Sequence, residues 1–145
     1  MDDGDAGIEL QVGFAVDDAV LTALHRRAFE AAGAAADDAA DASIVPWSAR
    51  LERHSVAWVG AFVDERLVGF VHAVWDGGEH AFLLDTVVDP ALQGRGIGRV
   101  LVGRLREAVV AAGCSWLHVD FEPHLAGFYR GCGFTDTDAG LMRLR

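Results

Sequence analysis

His80-Ala-Phe-Leu-Leu-Asp-Thr-Val-Val88 runs into Asp89-Pro-Ala-Leu-Gln-Gly-Arg-Gly-Ile-Gly98, and Arg99 through Gly113 follows. The first part is rich in Val, Leu and Phe and predicts a buried strand. Asp89-Pro90 ends it, because proline donates no ladder hydrogen bond and biases the residue before it away from helix. The third part carries Ile97, Val100, Leu101, Leu105, Ala108, Val109 and Ala112 at helical spacing, with Arg99, Arg106 and Glu107 left for water. Gly94, Gly96 and Gly98 crowd the join between strand and helix.

A glycine-rich turn that opens a helix presents unpaired backbone N–H groups at the positive end of the helix dipole. Glycine also allows a ligand close to the backbone and tolerates positive φ. Arg95 and Arg99 add charge of the same sign. The turn therefore reads as a phosphate or pyrophosphate site, against the plainer reading of ordinary capping glycines. A P-loop ends in Gly-Lys-[Ser/Thr], and this chain has no lysine. A dinucleotide fingerprint needs Gly-x-Gly-x-x-Gly directly after a strand. From Gly94 that spacing meets Arg99, and Asp89 to Gln93 intervene.

Gln93-Gly-Arg-Gly96-Ile-Gly98 resembles the Gln/Arg-x-x-Gly-x-Gly/Ala signature of the GNAT N-acetyltransferase superfamily, together with the strand, break and amphipathic helix around it. The resemblance implies that acetyl-CoA sets its pyrophosphate on Gln93, Gly94, Arg95, Gly96, Ile97, Gly98 and Arg99, with the pantetheine arm along backbone near Val87 and Val88. Phe128-Tyr129-Arg-Gly-Cys-Gly133-Phe134 resembles the family's Phe-Tyr-x-x-x-Gly-Phe element. In that family the tyrosine commonly lies near the CoA sulfur and protonates it; the plainer reading makes Tyr129 a packed aromatic. The chain departs from the family in lacking asparagine: Glu122 or His124 stands where many relatives carry one.

Composition narrows the classes. The 145 residues suit one domain, and 52% hydrophobic residues can build a core. We expect residues 1–7 to be a frayed acidic tail and 8–145 a single acetyltransferase domain. The net charge is −10, which argues against nucleic acid as a partner and is compatible with a cationic amine. No apolar run is long enough to cross a membrane, and no amino-terminal signal pattern appears, so the expectation is a cytoplasmic protein. Cys114 and Cys132 show no metal-binding or redox spacing. No metal is expected.

The remaining elements follow from patterning. Ile8 to Val16 predicts a strand. Asp17-Asp18 caps a helix from Ala19 to about Ala32. Residues 33–43 are Ala and Asp without periodicity, and either a helix extension or a loop fits. Pro46-Trp47 opens a short helix to His54. Val56 to Val63, Leu67 to Trp75 and the strand ending at Val88 should form an antiparallel meander. Trp116 to Phe121 should lie parallel to that last strand, because a long helix separates them. Pro123 opens a helix to about Arg130. Phe134-Thr135 and Leu141 to Leu144 predict a closing hairpin. This is an α+β, three-layer arrangement: a mixed, mostly antiparallel sheet with a parallel splayed pair, flanked by helices. It matches the GNAT order.

Acetyl transfer needs a proton acceptor for the amine, a polarised carbonyl and a proton donor for the thiolate. Asp85 interrupts an apolar strand and ranks first as base, since resembling proteins often place an acid there. Asp120 and Glu122 come next, and His118 after these; alternation puts all three on one face of what should be an interior strand. An acceptor pocket and internal ion pairing both fit them. Trp47, Trp58 and Trp75 come from segments that border the acceptor cleft in resembling proteins, although core packing suits each. The expected activity is N-acetyl transfer from acetyl-CoA to a small-molecule or peptide primary amine by direct attack. The alternative is a non-catalytic acyl-CoA-binding module. Relatives often pair through their last strands, so the resemblance also raises a homodimer.

Overall fold

A computed structural model of the chain describes residues 7–33 and 43–145. The expected acidic tail, Gly7 apart, and most of the undecided 33–43 stretch lie outside the described residues. The elements are β1 (Ile8–Val12), α1 (Asp18–Ala31), α2 (Trp47–His54), β2 (Ser55–Val63), β3 (Arg66–Trp75), β4 (His80–Val88), α3 (Ile97–Ala111), β5 (Trp116–Val119) and α4 (Ala126–Gly131). Short 3-10 turns at Pro90–Leu92 and Pro123–Leu125 precede α3 and α4.

The strands form one sheet in the order β1-β2-β3-β4-β5. β1 to β4 pair antiparallel, and β4 pairs parallel with β5. The meander and the parallel return therefore match the expectation. Asp64 and Glu65 turn the β2–β3 hairpin with φ of 48° and 65°, the left-handed values that a two-residue turn between twisted strands requires.

Alternation along the strands sends side chains to two cores. On one face Val59, Ala61, Val71, Ala73, Ala81 and Leu83 meet Ile97, Leu101, Leu105 and Val109 of α3 and Tyr129 of α4. On the other, Phe70 and Val87 meet Leu21, Leu24 and Ala28 of α1 and Trp47 and Leu51 of α2. Asp17 caps α1, its carboxylate accepting from the Val20 N–H at 3.0 Å.

Two expectations fail at the carboxyl end. β5 stops at Val119, two residues short of the expected Phe121. No strand follows it among the described residues, so the closing hairpin is absent. Arg130 donates two hydrogen bonds to Asp136, at 3.1 and 2.6 Å, tying the chain back to α4 rather than along β5. Leu141, Met142 and Leu144 are then 87, 81 and 85% exposed. Spaced apolar residues make a strand only where a neighbouring edge or core receives them.

Candidate active site

The β4–β5 ladder runs only from His80↔Trp116 to Leu83↔Val119. β4 continues to Val88 and β5 does not accompany it, so the sheet opens on that side of β4. Two residues beyond Leu83, Asp85 adopts φ 57°. Phe70 faces Val87 and His72 faces Leu84, so Asp85 and Thr86 together oppose the single residue Val71. This is a bulge, which bends a strand and re-aims side chains.

The bulge aims two neighbours at opposite layers. Thr86 meets Tyr129, whose Oη donates to Thr86 Oγ1 at 3.3 Å. Burial pushes the Tyr129 phenol above its usual range, and the bond to Thr86 offsets part of this. The phenol therefore stays protonated and available as a donor. Phe121 stacks on the Tyr129 ring at 5.1 Å, and Phe128 and Phe134 meet it edge-on. The two readings of Tyr129 are compatible: it is packed and it carries its hydroxyl to the bulge.

Asp85 turns toward α1. His25 Nε2 lies 2.9 Å from its Oδ1 and His72 Nε2 lies 2.7 Å from its Oδ2. His72 Nδ1 is 2.8 Å from Ser55 Oγ. Burial opposes ionisation of Asp85, yet the hydrogen bonds from the two imidazoles hold its carboxyl well below the usual carboxylate range. His72 is buried, while the His25 and Asp85 side chains are 27 and 28% exposed. His25 stacks on Phe29 at 4.4 Å and tilts against Trp47 at 5.2 Å. Neither histidine was expected here. The signal for His72 is a lone polar residue in the apolar run Leu67 to Val74, beside Asp85 in the next strand. His25 has no such signal.

At the far end of β4, Gln93 Nε2 donates to the Val88 carbonyl at 3.3 Å. Gly94 and Gly96 have φ 80° and 83°, and a Cβ on either would meet nothing within 4 Å. The backbone N–H groups of Gly94, Arg95, Gly96, Ile97, Gly98 and Arg99 donate to no acceptor among the described residues; the helical bonds begin with Val100 N–H to the Gly96 carbonyl. Arg95 is exposed. Arg99 differs from expectation: its Nη2 donates to the Gly131 carbonyl at 2.7 Å, so its side chain holds the end of α4. Val87 is buried beneath α1 and Val88 is half-buried.

The group at 118–122 also needs correction. Alternation holds, with Leu117, Val119 and Phe121 packed against the α3 core. β5 is the sheet edge, however, and His118, Asp120 and Glu122 are exposed rather than interior. His118 is 2.8 Å from His80 across the strands and stacks on Phe82 at 4.5 Å. Trp58 donates its indole N–H to the Phe14 carbonyl at 2.9 Å, as a structural aromatic would. Trp47 is buried beside both site histidines, and Trp75 is 39% exposed. Among the described residues no group of three or more His, Cys, Asp or Glu is arranged to hold a metal ion. No described helix is long and apolar enough to cross a membrane.

Residues 19–134 match the model of the Acetyltransferase (GNAT) family. The chain belongs to this family. It is 34% identical over 87 residues to GCN5-related N-acetyltransferase 1, chloroplastic, of Arabidopsis thaliana, covering 60% of this chain and 44% of that protein. It is 38% identical over 93 residues to serotonin N-acetyltransferase 2, chloroplastic, of Oryza sativa subsp. japonica, covering 61% and 46%. The chain thus spans about half the length of these curated relatives. A GCN5-related N-acetyltransferase from Ralstonia eutropha JMP134 has the same fold, with a TM-score of 0.74 at 22% identity over 95% of this chain and 99% of that one. The GNAT fold read from the glycine turn and element order is the fold observed.

Proposed function

We propose that the chain transfers an acetyl group from acetyl-CoA to a primary amine by direct attack. The observation that carries this is the divergence of β4 from β5 between two sets of groups. At one end stand the unbonded amides of Gly94 to Arg99, suited to a diphosphate. At the other stands the bulge, with Tyr129 on one side and the Asp85 cluster on the other. Between them the edge of β4 that faces away from β3 has no strand beside it after Leu83 among the described residues, and an extended pantetheine arm with amide groups can pair there as a strand would.

In the reaction the amine nitrogen forms a bond to the thioester carbon and loses a proton. Backbone N–H groups of β4 near Val88 draw charge onto the carbonyl oxygen. The C–S bond breaks with its electron pair on sulfur, and the Tyr129 hydroxyl supplies the proton that makes the free thiol. Solvent returns that proton to Tyr129.

Phe29 is exposed beside His25, and Leu84 and Phe82 are exposed on the sheet face that carries His72. Such a floor favours an amine carried on an apolar or aromatic body. The similarity to a relative named for serotonin points the same way. Asp120 and Glu122, exposed at the edge, attract a cationic amine.

Coenzyme A binding by calorimetry, and thiol release with a panel of arylalkylamines, polyamines, amino-sugar phosphates and peptide amino termini, test the reading. We expect release with arylalkylamines. Tight CoA binding without thiol release for any amine would make the domain a binder instead.

A further inference from the structure

Asp85 is the obvious acid on β4, yet both its oxygens are already engaged. Oδ1 meets His25 Nε2 at 2.9 Å and Oδ2 meets His72 Nε2 at 2.7 Å. An ionised carboxylate only accepts hydrogen bonds, so each Nε2 must carry its proton. That fixes both tautomers. The lone pair of His72 then lies on Nδ1, where Ser55 Oγ donates at 2.8 Å. The lone pair of His25 lies on its own Nδ1, which has no hydrogen-bond partner among the described residues. It belongs to the more exposed of the two imidazoles.

We infer that His25, not Asp85, is the general base: its Nδ1 takes the proton from the attacking amine, while Asp85, His72 and Ser55 are positioning residues that hold it in the Nε2–H tautomer. This rests on the acetyl-transfer reading above. Each group has a defined task. Asp85 stabilises the imidazolium that forms. His72 occupies the second oxygen of Asp85 and stops the carboxylate from rotating. Ser55 holds His72. The balance is simple: one proton moves from the amine nitrogen to His25 Nδ1 as the N–C bond forms, and the imidazolium later releases it to water.

The surroundings suit this role. Phe29 and Trp47 flank the His25 ring and fix its plane. Among the described residues, these charged groups lie on the elements around it. Arg26 and Arg27 follow it on α1, and Arg27 pairs with Asp89 at 3.4 Å. From α2, Arg50 sits over Trp47 at 5.5 Å. From the sheet come Asp85 and His72.

Two measurements test the inference. The first needs no turnover: long-range 15N–1H correlation spectra of the labelled protein report histidine tautomers, with His25→Gln supplying the assignment. Nε2–H at both His25 and His72 is expected, and Nδ1–H at His25 overturns the arrangement. The second is the pH dependence of kcat/KM with the best amine. A general base stops working once it is protonated, so kcat/KM should fall along an acidic limb. His25→Ala should lower the rate by about 10²–10⁴-fold, remove that limb and be partly rescued by added imidazole. Asp85→Asn, with its fold checked by thermal melting, should slow turnover and let the His25 tautomer change. A His25→Ala variant with the wild-type rate and profile overturns the inference. If the wild type acetylates no amine, the acetyl-transfer reading fails, and the tautomers still decide the arrangement.

Discussion

The glycine turn makes a quantitative prediction, because two of its glycines are needed for different reasons. Gly96 is the N-cap of α3 with φ 83°, and a Cβ there would meet nothing within 4 Å. Gly96→Ala therefore meets no clash and isolates backbone strain, about 1–2 kcal/mol for a left-handed residue. For a chain of this size that corresponds to a melting temperature lower by roughly 3–8 °C. Gly98 has no positive φ, but its Cβ would sit 3.2 Å from Phe128 Cε1 and Cζ. Gly98→Ala gains helix propensity of about 1 kcal/mol, then loses it by displacing Phe128, the neighbour of Tyr129. Thermal melting should thus rank Gly96→Ala clearly below wild type, with Gly98→Ala near it. CoA titration should find both weakened: the first because the amides of the turn shift, the second because the start of α3 and α4 move apart. A Gly96→Ala variant that melts with wild type and binds CoA equally well would refute this account of the turn.

Other perturbations give separate tests. Tyr129→Phe removes only the 3.3 Å bond to Thr86, so it should change stability by no more than about 1 kcal/mol while lowering kcat by about 10²-fold or more; unchanged turnover at every pH would exclude the proton-donor role. Asp85 has a carboxyl held below its unfolded value, so its contribution to stability is present above the ordinary carboxylate range and is lost as pH falls below about 4. Urea unfolding of wild type should weaken between about pH 4 and 2, and Asp85→Asn, less stable at neutral pH, should weaken less over that interval. Replacing Asp64-Glu65, which carry φ of 48° and 65°, with Asn-Gly should stabilise the hairpin by about 1–2 kcal/mol, read as a higher urea midpoint with the same slope.

The sequence carried the strand, turn and helix around Gly96 plainly, because glycine spacing and apolar periodicity are local properties. Asp17 at the start of α1 and Pro46 before α2 were equally local. The proton-accepting cluster was not. Asp85 and His72 become partners only through the β3–β4 register, and the bulge, which no spacing announces, decides where Asp85 points. His25 arrives from a helix 60 residues away in the chain. The exposure of His118, Asp120 and Glu122 was equally out of reach: alternation assigned their shared face, but only the fold shows that it lies on the edge strand and open to water. Leu141 to Leu144 showed how little an apolar spacing means without an edge to receive it.

The extra residue in β4 also resets which core each later side chain enters. Ahead of it, Ala81 and Leu83 belong to the α3 layer; beyond it Val87 belongs to the α1 layer and Val88 to the α3 layer. With all residues from Leu83 onward in strict alternation and no bulge, Val87 would side with Leu83. Were Asp85 instead paired as an ordinary strand residue, Thr86, Val87 and Val88 would exchange destinations, setting a hydroxyl against Leu21 and Leu24 and a valine under Tyr129, whereas excising Asp85 outright would leave all three where they are. By setting one surplus amino acid aside, the bulge keeps the two hydrophobic interiors of this domain in phase.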